Sequence, residues 1–214
     1  MTTAIQARVR GGTLDGNDSY VATSGNHELL VAQGLPRLTE LSRLGYGWQV
    51  MNTAALAAVV VRPSTVAGLT LYNGSTDKNY VIDRVGAFNL VTTDAIHDWS
   101  VWGCLHPAGF TAPTADITAI KGYSGLTYAG AAIVDTGATV TDNGWFILDV
   151  AGSKVGNPGT VTPGTAVVCD TDGRFIVPPT GAFSINVVAS LVGDTFTHLI
   201  SWWEIPTSVL SRET

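Results

Sequence analysis

Charged side chains are scarce in this chain. They make up 13% of its 214 residues, against about 25% in an ordinary globular domain. Lysine occurs three times and the net charge is −6. Binding a phosphate backbone takes clustered Lys or Arg, so the deficit argues against specific nucleic-acid binding. The one basic feature near the start is the short pair Arg8/Arg10. Cysteine is also rare. Cys104 and Cys169 fall in separate predicted strands and are read as buried free thiols. No apolar run approaches the ~20 residues of a membrane span. The longest, Ala54 to Val61, fits a buried strand or a short helix. Residues 1–12 are largely polar and lack the apolar core of a secretory signal, so the expectation is synthesis in a cytoplasm, with no membrane partner.

Motifs of chemistry are equally thin. HExxH, CxxC, GxGxxG and a phosphate loop do not occur. Asp170-Thr171-Asp172-Gly173 lacks the further oxygen ligands and distal Glu of a calcium loop and reads as a hairpin turn. His27, His97, His106 and His198 stand outside any metal-ligand spacing; only His106 and Cys104 share a strand face. Ser124, in Gly-Tyr-Ser-Gly, has no strand-turn-helix context. Asp83, Asp98, Asp149 and Glu204 could be paired on paper for glycoside hydrolysis, as in any β-protein. Trp99, Trp102, Trp145, Trp202 and Trp203 are the candidates for a sugar-stacking platform, but neighbours in a strand split between faces and large apolar rings suit packing equally. No catalytic residue, cofactor site or metal site is assigned.

What the chain does have is glycine (24 copies) and many short Val-, Thr- and Ala-rich runs bounded by turn residues. Predicted strands are Gly47–Met51, Leu56–Arg62, Gly68–Tyr72, Tyr80–Val91, Asp98–His106, Asp116–Lys121, Ala131–Asp135, Ala138–Thr141 and Trp145–Val150. Thr165–Asp170, Arg174–Val177, Ala182–Leu191 and Phe196–Ile205 complete the set. Asn73-Gly74, Asn143-Gly144 and Asp172-Gly173 mark turns. Ten or so strands at this spacing, with no alternating helices, predict an all-β domain, a β-sandwich or jelly roll, over residues 46–214. A chain of this length buries roughly 70% of its unfolded surface and needs no staple. Residues 1–45 read differently. Up to Gly34 they form an extended arm with isolated apolar pairs such as Leu29-Leu30, and Pro36 to Leu44 is one short helix, ended by Gly45. Such an arm cannot bury itself; it is either mobile or laid across a neighbour.

The last strand is apolar on both faces. Leu199, Trp203 and Ile205 share one face and are assigned to the core. Phe196, Ile200 and Trp202 share the other, which also carries His198 and Glu204, and are assigned to an interface with a second copy.

Three segments resemble non-enzymatic virion proteins of tailed bacteriophages: Arg62-Pro63; Leu71-Tyr72-Asn73-Gly74 followed by Tyr80-Val81-Ile82-Asp83-Arg84-Val85; and Ile176-Val177-Pro178-Pro179 with Ser184–Leu191 and Trp202–Pro206. The resemblance spans roughly residues 45–206 and is to jelly-roll capsid cement, or decoration, proteins. It implies a homotrimer on the capsid surface, bound to the major capsid protein, with the arm clasping neighbours and no catalytic residues. The interface residues expected to meet the trimer or the capsid are Trp202, Phe196, Ile200, Leu29, Leu30, Arg8 and Arg10. The alternative is a tail-fibre or host-recognition module that binds surface carbohydrate.

Overall fold

The predicted C-terminal segments are strands in the computed structural model of the chain, which describes residues 11–12, 18–19, 41–42, 44–91, 98–151, 166–190 and 193–210. The chain divides into two compact units, Met1–Glu40 and Leu41–Thr214. In the first, β1 (Gly11–Gly12) and β2 (Asp18–Ser19) pair antiparallel. Leu29, Leu30, Arg8 and Arg10 lie outside the described residues, as does most of the predicted helix Pro36–Leu44. Of that helix, Leu41 and Ser42 are helical. Gly45, with φ 75, closes the turn: its N–H donates to Ser42 O and the Tyr46 N–H to Leu41 O, 3.0 Å each. Glycine suits this left-handed helix end because it has no Cβ to clash.

The second unit is an antiparallel sandwich of two sheets. One sheet runs β10 (Phe146–Ala151), β7 (Trp99–His106), β12 (Ala182–Ala189), β5 (Leu69–Asn73), β9 (Ala132–Thr136). The other runs β11 (Ala166–Val177), β6 (Lys78–Val91), β13 (Thr195–Pro206), β3 (Gly47–Met51), β8 (Lys121–Gly122), with β4 (Leu56–Ala57) also on β13. The pairing is nested: β3 with β13, β5 with β12, β6 with β11, β7 with β10. Strands β8 and β9 belong to the segment between β7 and β10, and each extends one sheet at its edge. A short helix, α1 (Thr207–Leu210), follows β13.

The core lies between the sheets. Alternate residues of β12 (Phe183, Ile185, Val187) face Tyr80, Ile82, Val85 and Ala87 of β6 and Phe196, Ile200 and Trp202 of β13. A second, smaller core of Ala67, Cys104, Ala138, Val140 and Trp145, joined by Trp102 and Phe110, covers the outer side of the β12 sheet. The central strands β12 and β5 are thus buried on both faces, while Ile147 and Val150 of the edge strand β10 are exposed.

Several boundaries differ from the sequence reading. Asp172-Gly173 is no hairpin turn. Both residues have positive φ (50 and 71), but they form a bulge inside the continuous β11, where the register skips from Asp170↔Arg84 to Phe175↔Ile82. An extra segment on one strand produces just such a left-handed Asp-Gly kink. Of the predicted strand Leu56–Arg62, only Leu56–Ala57 is extended into the sheet. The apolar run Ala54–Val61 is therefore not a buried strand: Ala54, Ala55, Ala57 and Val60 are exposed and Val61 is 68% exposed. The predicted strand Ala138–Thr141 is loop, held by an isolated bridge from Thr139 to Val66.

Candidate functional site

The C-terminal strand has two apolar faces, and the structure assigns them the opposite way from the sequence reading. Phe196, Ile200 and Trp202 are fully buried in the inter-sheet core. Trp202 lies between Tyr80 and Tyr128, at ring separations of 6.0 and 6.3 Å. A side chain with no surface left in a single copy cannot contact a second one, so these three are core residues and not interface residues. The reading failed because His198 and Glu204 share their face and looked like solvent markers. Glu204 is in fact buried and neutralised internally: Lys78 Nζ lies 3.1 Å from Oε2, and Tyr128 OH donates to Oε1 at 2.8 Å. Burial, with the Glu204 charge beside them, pushes the Tyr80 and Tyr128 hydroxyls well above the usual tyrosine range. His198 is buried, and among the described residues neither ring nitrogen has a partner.

Groups that could carry chemistry are consumed by packing. His106, Ser184 and Asn143 have the connectivity of a hydrolytic triad: Nε2 lies 3.0 Å from Ser184 Oγ and Nδ1 lies 2.9 Å from Asn143 Oδ1. A carbonyl oxygen only accepts, so Nδ1 carries the proton and Nε2 accepts from Ser184. Thr70 Oγ1, 2.9 Å from Ser184 Oγ, completes the chain. Yet Ser184, His106 and Thr70 are fully buried, and Phe110 packs on the imidazole at 4.7 Å. Ser184 is central in β12, paired to Thr70 on one side and Cys104 on the other. Its neighbouring N–H groups serve the sheet ladder and leave no oxyanion hole. Burial lowers the His106 pKa and raises that of Cys104. The network pins the 107–118 and 137–145 segments onto the sheet.

The tryptophans supply no platform. Trp48, Trp99, Trp145, Trp202 and Trp203 are buried and Trp102 is half-buried. Glu204 has an amine and a phenol beside it, not a second carboxylate. Among the described residues no group of three or more His, Cys, Asp or Glu is placed to hold a metal. His27 and His97 lie outside the described residues.

What the strand pairing does assemble is a surface. Residues directly opposite across an antiparallel ladder share a face. On the outer face of the β13 sheet, Met51, Leu199, Gly86 and Val168 form one row across β3, β13, β6 and β11. Thr197, Phe88 and Ala166 form the next. Leu90, bulged out between Asn89 and Val91, stands at the same end. Met51 is 43%, Leu90 37% and Val168 45% exposed, and Phe88 and Leu199 are half-buried. Leu199 leans over Gly86, its Cδ2 3.5 Å from where a Cβ would stand. The flanking row is polar: Gln49, Ser201, Arg84 and Asp170. Its Arg84 Nε–Asp170 Oδ1 pair, at 2.7 Å, is exposed, and the carboxylate raises the guanidinium pKa. The rest of this face is already covered. Tyr123, from the β8 turn, packs on Trp203 at 5.6 Å, and Gly47 leaves room for both rings, since a Cβ there would meet each at 2.5 Å.

The site is thus an apolar double row with an ion-paired rim, on a half of the sheet that the described residues of Leu41–Thr214 leave exposed. Sequence reasoning missed it because membership depends on register across four strands. The only local signals were Val168 and Leu199 at alternating positions of their strands. Among the described residues no helix is long and apolar enough to cross a membrane. No protein-family model matches the chain, and no curated protein matches it significantly.

Proposed function

We propose that this chain is a non-enzymatic structural protein of a tailed-phage virion, a jelly-roll cement protein that trimerises and binds the major capsid shell. The nested pairing of β3–β13, β5–β12, β6–β11 and β7–β10 supports the jelly-roll reading, because one long hairpin rolled into two sheets pairs its first strand with its last. The observation that carries the functional reading is the outer face of the β13 sheet. Its centre is apolar and its rim is charged, the anatomy of a protein–protein interface. Exposed contiguous apolar surface of this kind marks an interaction site on a soluble protein. The low charge of the chain fits a surface that spends its life against other protein.

Adhesion is the mechanism. Self-association covers the Met51–Leu199–Gly86–Val168 row, and the arm of residues 1–45 ties the assembly to neighbouring capsid subunits. The carbohydrate-binding alternative loses its residues, since its tryptophans are committed to packing. The test is binding to phage heads assembled without this protein. Purified chain added to such heads sediments with them at saturable, symmetry-fixed occupancy and raises their heat resistance. Heads that take up none, under conditions where the chain is folded, contradict the proposal.

A further inference from the structure

His198 occupies an unusual position. Its side chain is buried, and among the described residues neither Nδ1 nor Nε2 has a hydrogen-bond partner. The ring fills space that only a glycine leaves open: a Cβ on Gly68 would sit 2.7 Å from Nε2. Asn186 Oδ1, of β12, lies 3.3 Å from that same point. The imidazole therefore stands between the two sheets, near one end of the sandwich.

That end is crossed by a strap, residues 52–62. Asn52 is bonded to His198 itself: the Asn52 N–H donates to His198 O at 3.3 Å, and the His198 N–H donates to Asn52 Oδ1. Next, Leu56 and Ala57 pair with Phe196 and Thr195 of one sheet. Val59 then bridges Val188 of the other. Its attachments beyond that short ladder are few: Ala58 N–H to Asp194 O at 2.9 Å, Val59 N–H to Val187 O at 3.0 Å, Ala189 N–H to Val59 O at 2.9 Å, and the Arg62–Asp142 ion pair at 2.5 Å. Two of its valines, Val60 and Val61, face solvent. By contrast, β13 is paired to β6 over nearly its whole length.

We propose that His198 is the acid-sensitive catch of this strap: protonating its ring releases residues 52–62 from the end of the sandwich while the two sheets remain paired. Among the described residues an imidazolium here has no counter-charge on the elements packed against it. β12 carries no ionisable side chain, and β6 has none from Val85 to Val91. In the segment 52–68 the only charged residue is Arg62, a cation already paired with Asp142. Along the chain the nearest acids are Asp194, just before β13 and four residues away, and Glu204, held by Lys78 at the opposite end of β13. A buried unpaired charge is costly enough that the structure opens to hydrate it. Since the strap is the least attached of the described elements at that end, it is the part that yields. Burial holds the ring's pKa down at about 4, whereas a released histidine titrates near 6.5. Asp142 stays ionised down to about 2 because Arg62 bonds its carboxylate, so the strap's ion pair is not what acid breaks first.

The test is amide hydrogen exchange of the full chain at pH 7 and pH 5, corrected for the intrinsic pH dependence of exchange. From the two pKa values, the opening equilibrium at Ala58, Val59 and Ala189 rises about twentyfold between these pH values, and amides of Ile200 and Trp202 do not follow. His198→Leu, which cannot titrate, removes the rise; if that variant does not fold, His198→Gln serves the same comparison. A rise shared equally by all sheet amides, no rise at the strap, or an undiminished rise in the variant overturns the proposal.

Discussion

Replacing Trp202 by alanine is the sharpest test of how the last strand is oriented. Trp202 is fully buried between Tyr80 and Tyr128, on the face that meets Phe183 and Ile185 across the core. Removing a buried tryptophan costs about 3–5 kcal/mol, as lost transfer energy plus the cavity left behind. Collapse is limited here, because the Tyr128 hydroxyl is tied to Glu204 and accepts the Ala132 N–H at 2.7 Å. The upper half of that range is expected. Trp203, its neighbour, lies outside the sheet under Tyr123 and keeps 6% of its surface. A ring at the sheet surface leaves a gap that the Tyr123 turn and water can refill, so Trp203→Ala costs roughly 1–3 kcal/mol. In a domain of this size each kcal/mol moves the melting point by about 2–4 °C. Urea denaturation, followed by circular dichroism at fixed protein concentration, reads both variants. Trp202→Ala losing less stability than Trp203→Ala would refute the orientation and with it the location of the core.

Other consequences follow from the buried polar groups and the arm. The folded His198 pKa of about 4 lies below its unfolded value, so its contribution is intact above pH 6.5. It is lost as pH falls toward 4, by roughly 3 kcal/mol in total; urea midpoints across pH 4–7 follow this slope in the parent chain and flatten in His198→Leu. Ser184→Ala leaves the His106 Nε2 without its donor and Thr70 without its partner, a loss of about 1–3 kcal/mol; a loss under 0.5 kcal/mol by urea denaturation contradicts the network. Deleting residues 1–34 leaves a folded sandwich, because both sheets are built from Gly47 onward, but lowers occupancy on phage heads in the sedimentation assay. Equal occupancy of truncated and full-length chains removes the arm from the mechanism.

Local pattern made much of this fold readable and long-range register made the rest unreadable. Phe183–Leu191 alternates, Val188 apart, as a half-buried strand does, and Ala182–Ala189 is a strand; its polar face is nonetheless buried too, because Ser184 and Asn186 are hydrogen-bonded to His106 and Val66 O. Asp172-Gly173 carried a true signal, positive φ, but a dipeptide cannot say whether the chain turns back or merely kinks. Ala54–Val61 has the composition of a buried strand; it became an exposed strap because β13 is already paired to β3 alongside and offers it only two residues. Glu204 and His198 misdirected the facing of the last strand, since nothing near them in sequence announces Lys78 or Gly68 as neighbours. The Met51–Leu199–Gly86–Val168 row joins residues up to 148 positions apart and has no signature in any window of the chain.

The central claim is that the exposed apolar half of the β13 sheet is a self-association surface, and solution mass tests it most directly. Light scattering coupled to size exclusion, at micromolar concentration, should give three times the chain mass of 22.4 kDa. Val168→Glu, a charge placed in the middle of the exposed row, should return the mass to that of one folded chain without lowering the helix-poor, strand-rich circular dichroism signal. A parent chain that runs as a monomer, or a Val168→Glu variant that remains a trimer, contradicts the account.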